Sequence, residues 1–170
     1  MNQYRGWASL LVGMSLSGSL LAADTPSYDL SHEGLALDTR QQLAWMRCSL
    51  GQRFEEGRCL GEAERLSWSE AQARIQELAG PECPWRLPRF HELRGLMQPA
   101  PGRDMAIDLE AFPDTPPGWY WNQASAGGHS QQDCFVDFGG EGRTRCNMGG
   151  HFHLRPVMPD AKAASCLGNH

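Results

Sequence analysis

The sequence predicts an α+β domain stapled by disulfides, and three observations carry that prediction. Two stretches place apolar residues at helical spacing, one of them behind a capping box. Short runs joined by glycine-rich turns read as antiparallel hairpins. Six cysteines (Cys48, Cys59, Cys83, Cys134, Cys146 and Cys166) lie behind an export signal, the arrangement of a secreted disulfide framework.

The chain opens with that signal. Arg5 supplies the positive start, Trp7 to Leu21 are mostly apolar or small, and Ala22-Ala23 offer a small-residue cleavage site before the polar Asp24-Thr25-Pro26. The tract is too short for a membrane span and stops at a cleavable sequence, so residues 1–23 read as a secretory signal peptide. No cysteine lies near the cleavage site, so no lipid anchor is expected. The expected destination is periplasmic or secreted, with no membrane span after cleavage. The full chain carries a net charge of −5, and loss of Arg5 makes it one unit more negative. An acidic chain is a poor partner for nucleic acid or for an anionic membrane surface.

Residues 24–33 are polar without periodicity and read as a flexible N-terminal arm. Gly34–Asp38 and Leu43–Arg47 flank Thr39-Arg40-Gln41-Gln42 and read as a hairpin that opens the domain. Phe54 to Gly61 reads as a short irregular stretch. Ser67-Trp68-Ser69-Glu70 is a capping box, and Trp68, Ala71, Ile75 and Leu78 make the apolar face of a helix that runs to about Ala79 before Gly80-Pro81. Trp85-Arg86-Leu87 reads as a strand that turns at Pro88 into a second helix with Phe90, Leu93, Leu96 and Met97 on one face. A long Pro- and Gly-rich connection follows to Gly118, tacked down by Ile107, Leu109 and Phe112. Trp119 to Gln123 reads as an aromatic strand and Ala126–Ser130 as a flexible turn. Cys134–Phe138 and Arg143–Cys146 flank Gly139-Gly140-Glu141-Gly142 and form a hairpin. His151–Val157 reads as the last strand, and residues 159–170 as a polar tail.

Six cysteines allow 15 pairings. Loop geometry favours Cys48–Cys59. Pairing of Phe138 with Arg143 in the hairpin favours Cys134–Cys146, and elimination leaves Cys83–Cys166. The expected core is Trp45, Trp68, Trp85, Leu87, Leu93, Leu96, Trp121, Phe138 and Val157, with Arg86 pointing opposite Trp85 toward a carboxylate or backbone carbonyls.

The order of these elements resembles a known family. Leu43-Ala44-Trp45-Met46-Arg47-Cys48 precedes Trp68 at a helix start, and Trp85-Arg86-Leu87-Pro88, Glu92-Leu93, Phe112-Pro113, Tyr120-Trp121, Phe138 and Leu154-Arg155-Pro156-Val157 follow. The series resembles the Lcl C-terminal domain family, a domain of unknown function named after a bacterial collagen-like adhesin, over residues 34–158. The resemblance implies a C-type-lectin-like fold related to formylglycine-generating enzymes: two helices on a small twisted antiparallel sheet, with long loops on one side. This chain departs from the family at Arg89, where a small hydroxyl residue is usual and would cap the helix, and at Asn122-Gln123-Ala124-Ser125, where the family usually carries hydroxyls. The adhesin domain is associated with sulfated polysaccharides, and the acidic balance of this chain argues against transferring that ligand.

The chemistry-bearing residues point to binding rather than catalysis. No nucleophile elbow, zinc-protease motif or phosphate loop is present, no catalytic residue is assigned, and no cofactor is required. Asp114, Trp119, Asn122, Gln123 and His129 supply donors, acceptors and one stacking ring, the inventory of a sugar site. Such residues concentrate on loops carried by a rigid scaffold. The expected function is a noncatalytic binding or adhesion-type module of the cell envelope, its ligand a glycan or an envelope protein. Two alternatives stand beside it. One is an envelope enzyme resembling the formylglycine-generating relatives, using a cysteine or a metal near His151 and His153, which lie two apart on the last strand and so share a face. The other is a structural component of an envelope assembly. Asp104, Asp108, Glu110 and Asp114 are candidate oxygen donors for calcium, set against a solvated acidic loop.

Overall fold

Strand β3 (Leu43–Met46) is the axis of the molecule. It lies between β2 (Leu35–Asp38) and β9 (Val157–Pro159) in an antiparallel sheet that begins with β1 (Tyr28–Asp29) and is ordered β1-β2-β3-β9. Both its faces are covered, which is why it reads as unbroken apolar sequence rather than alternating. Leu43 and Trp45 face one core cluster, and Ala44 faces another with Leu35, Trp85 and Met158. The structure is a computed structural model that describes residues 28–123 and 134–167. The signal segment 1–23 and His129 lie outside the described residues.

Two smaller antiparallel sheets complete a mixed α/β architecture. One is the hairpin β4 (Arg53–Glu55) and β5 (Arg58–Leu60), and the other has the order β6 (Trp119–Tyr120), β7 (Cys134–Asp137), β8 (Arg143–Cys146). Three short helices pack among them: α1 (Trp68–Leu78), α2 (Phe90–Arg94) and α3 (Ala163–Leu167). All six cysteines are paired, as Cys48–Cys59, Cys83–Cys166 and Cys134–Cys146. Disulfides of this kind persist in oxidising compartments. Among the described residues no helix is long and apolar enough to cross a membrane. The disulfides are consistent with a periplasmic or extracellular protein.

Several expectations need correction. Residues 28–33 are not wholly a flexible arm. β1 (Tyr28–Asp29) pairs with Leu37 and Asp38, and the Tyr28 ring meets Phe112 edge-on at 5.0 Å. Phe54–Gly61 is a regular hairpin, closed by a type of turn that needs left-handed backbone at Glu56 and Gly57. The hairpin register pairs Asp137, not Phe138, with Arg143, and Cys134 still falls opposite Cys146. The tail is tied down as the Cys83–Cys166 pairing implied, and Ala163 and Cys166 are buried where that bond draws α3 onto the sheet. Leu109 is exposed, while Ala106, Ile107, Ala111 and Phe112 anchor the long connection. Trp68 is only half-buried, whereas the other eight expected core residues are buried.

The stretch around Trp85 differs most. Trp85–Leu87 is not a strand. Arg86 makes a single bridge to Val157, with N–H···O distances of 2.9 and 3.1 Å. α2 stops at Gly95 rather than running on to Met97. Arg89 makes no side-chain cap hydrogen bond, and Glu92 supplies the other half of a capping box: its carboxylate accepts the Arg89 N–H at 2.7 Å and a two-pronged pair from Arg86 at 2.8 and 2.9 Å. Burial opposes ionisation of Glu92, but these donors outweigh it and hold its pKa below the ordinary value. A carboxyl depressed in the folded state stabilises above the unfolded pKa and loses that contribution as pH falls. Glu92→Gln is therefore expected to cost about 1–3 kcal/mol at pH 7. The gap in melting temperature between variant and wild type should narrow below about pH 4. Melts of both proteins across pH 3–7 check this, and a gap that stays constant would refute it.

Candidate functional site

The loop side is held by a buried arginine. Arg155 is fully buried, and its Nη1 donates to the carbonyls of Met46, at 2.9 Å, and Arg47. Its Nη2 donates to Thr115 Oγ1 at 2.8 Å and Ser49 Oγ at 3.3 Å. The guanidinium lies over Phe112 at 4.8 Å, and the Ser49 hydroxyl also meets the Tyr120 hydroxyl at 2.8 Å. One side chain thus joins the end of β3, the long connection and β6. Arg47 adds a second tie, its Nε donating to the Ala111 carbonyl at 3.0 Å.

The candidate ligand-binding residues divide on this scaffold. Asp114 sits at the end of the connection with a left-handed backbone, φ 48°. Its carboxylate takes both prongs of Arg58 at 2.8 Å and the Cys59 N–H at 2.9 Å. Those donors, Arg58 first, hold its pKa below the ordinary carboxylate range. Asp114 therefore fastens the connection to the β4–β5 hairpin. Asn122 is buried and its amide donates to the Cys134 carbonyl, so it fixes the chain leaving β6 to the start of β7. A buried amide bonded in this way offers little to an external ligand.

Trp119 and Gln123 remain outward. Trp119 is half-buried against the cluster of Trp121, Phe135 and Phe152, and the Arg143 guanidinium stands 5.6 Å from its ring centre. Arg143 is oriented by Asp137, whose other oxygen accepts the N–H groups of Gly118 at 2.9 Å and Gly139 at 2.8 Å. The exposed Gln123 side chain has no hydrogen bond among the described residues, while its backbone N–H donates to the Pro88 carbonyl.

The histidine pair is not brought together as expected. His151 is exposed, and its carbonyl accepts from Arg65. His153 is buried, with its Nδ1 3.0 Å from the Glu64 carbonyl and its ring against Tyr120 at 5.3 Å. Burial pushes the His153 pKa down and favours the neutral ring. The two part because Phe152 and His153 make isolated bridges, to Leu66 and Tyr120, instead of belonging to one strand, so period-two alternation does not govern them. Asp108 is spent on the N–H groups of Glu110 and Ala111. Among the described residues no three His, Cys, Asp or Glu side chains are grouped so as to hold a metal ion.

Two features escaped the sequence reading. Arg155 appeared there only as part of a motif, although an arginine inside an apolar final segment is itself a signal that a buried partner set awaits it. The apolar groove beside the Cys83–Cys166 bond had no signal at all, because its walls come from five separate segments.

No curated protein and no solved structure matches the chain. The family model of the Lcl C-terminal domain matches residues 34–158, nearly all of the described chain, and the protein belongs to the Lcl C-terminal domain family.

Proposed function

We propose that this protein is an exported, noncatalytic binding module of the cell envelope, built on a C-type-lectin-like scaffold, with a glycan or an envelope protein as its ligand. The observation that carries this reading is the division of labour on the loop side. Arg155, Asp114 and Asn122 are consumed in fixing loops to the sheets, and Trp119, with Arg143 over its ring, and Gln123 are left at the surface. A rigid frame with a half-exposed aromatic ring suits stacking of a sugar face, with neighbouring amide and guanidinium donors for hydroxyls. An enzyme that works as the formylglycine-generating relatives do requires a free thiol or a metal, and every cysteine here is bonded to another.

A glycan array beside a pull-down from envelope extract tests this. Trp119→Ala is expected to lower affinity for the retained ligand about tenfold or more while leaving the fold intact, since the ring is only partly buried. A ligand retained equally by wild type and Trp119→Ala would overturn the loop-side site. Zinc-dependent turnover would overturn the noncatalytic reading.

A further inference from the structure

A groove of about 340 Å³ opens where the end of α1, the Leu35–Met46 end of the β2–β3 pair and α3 meet. Its walls are Leu35, Met46, Leu78 and Trp85, and its rim carries Glu33 and Glu77. Among the described residues no lysine, arginine or histidine lines it. The volume lies at the small end of the range for ligand pockets.

The charge around the mouth is one-sided. α1 ends there with no basic residue in its last turn. The partial negative charge of its terminal carbonyls, about half an elementary charge, therefore lacks the usual cationic neighbour. Glu77 adds to that charge and is only partly offset by Arg74 at 2.6 Å. The exposed Glu33 carboxylate has no partner among the described residues. An apolar groove flanked by two carboxylates and a helix C-terminus, in a chain of net charge −5, complements an apolar body that carries a positive head. A carboxylate ligand would meet like charge from Glu33, Glu77 and the end of α1.

We propose that this groove binds a small cationic amphiphile, an alkyl- or aryl-ammonium. Its apolar body packs on Leu78 and Trp85, and its ammonium sits between Glu33 and the end of α1. The groove stands on the cluster of Leu35, Ala44, Trp85 and Met158, whereas Trp119 borders the cluster of Trp121 and Phe152. Leu78 borders both clusters, but Trp119 does not line the groove, so either site can fail without the other.

Hexylamine, hexan-1-ol and hexanoate are titrated in turn into the protein with its disulfides intact, followed by the indole N–H signal of Trp85 and the methyl signals of Leu78 in two-dimensional NMR. Hexylamine is expected to shift both saturably and to bind more tightly than hexan-1-ol, with hexanoate weakest. Glu33→Gln, an exposed substitution that leaves the core untouched, is expected to weaken hexylamine about two- to fivefold and to leave hexan-1-ol unchanged. The proposal is overturned if hexylamine gives no saturable shift at Trp85, if hexanoate binds as well as hexylamine, or if Glu33→Gln weakens the alcohol and the amine alike.

Discussion

Arg155→Met is expected to destabilise the protein by about 3–5 kcal/mol, and Arg155→Lys by nearly as much. The guanidinium is fully buried and has no carboxylate partner among the described residues. Its charge is met by two carbonyls, two hydroxyls and the faces of Phe112 and Tyr120. Burial pushes its pKa down, and arginine is the cation that best tolerates this because its charge is delocalised and weakly hydrated. Methionine would fill part of the space but leave the Met46 and Arg47 carbonyls without these donors. Each unsatisfied buried group costs about 1–3 kcal/mol. Lysine has a compact ammonium that cannot span both the β3 end and Thr115, and it loses its proton more easily when buried. Thermal melts by near-UV circular dichroism, with disulfides intact, should show a drop of about 10–20 °C for either variant. An Arg155→Lys protein that melts within a degree or two of wild type would show that the planar fork is not what holds the loops.

Removal of the Cys83–Cys166 bond is expected to cost more than removal of either other disulfide. It closes 83 residues, against 11 for Cys48–Cys59 and 12 for Cys134–Cys146. In the chain-entropy account the long loop is worth about 4.5 kcal/mol and each short one about 2.8 kcal/mol. The long bond also holds α3 over Trp85 and Met158, so its loss exposes apolar surface that the other two do not guard. Paired Cys→Ala variants, each lacking one bond, should melt in that order under the same oxidising conditions. A Cys83→Ala/Cys166→Ala protein more stable than the Cys48→Ala/Cys59→Ala protein would mean that α3 docks without help and that the entropic ranking fails here.

The parts legible in the sequence are those whose cause is local. The capping box at Ser67 and Glu70 forms as read, because both hydrogen bonds lie within three residues. The β2–β3 and β7–β8 hairpins follow from their turns, and the two short disulfides follow from loop and hairpin. Membership of the family was legible for a related reason: the order of tryptophans, prolines and glycines marks turns and core positions that any sequence with this frame must supply. The candidate site was legible only in part. Gln123 is exposed and Trp119 half-buried, whereas Asn122 is buried and Asp114 is bound to Arg58.

By itself the sequence determined an α+β chain with its helix starts, its hairpin turns, its acidic balance and a cysteine set that local geometry could pair. Tertiary structure alone decided which polar groups are spent and which are free. Asp114 finds Arg58 across 56 positions, Arg155 finds Ser49 across 106, and Trp85–Leu87 meets β9 at a single bridge instead of forming a strand. The physical reason is desolvation. A buried charge or amide must be matched by whichever partner the fold brings near. That partner is set by the packing of the whole chain, which spacing along the sequence does not encode.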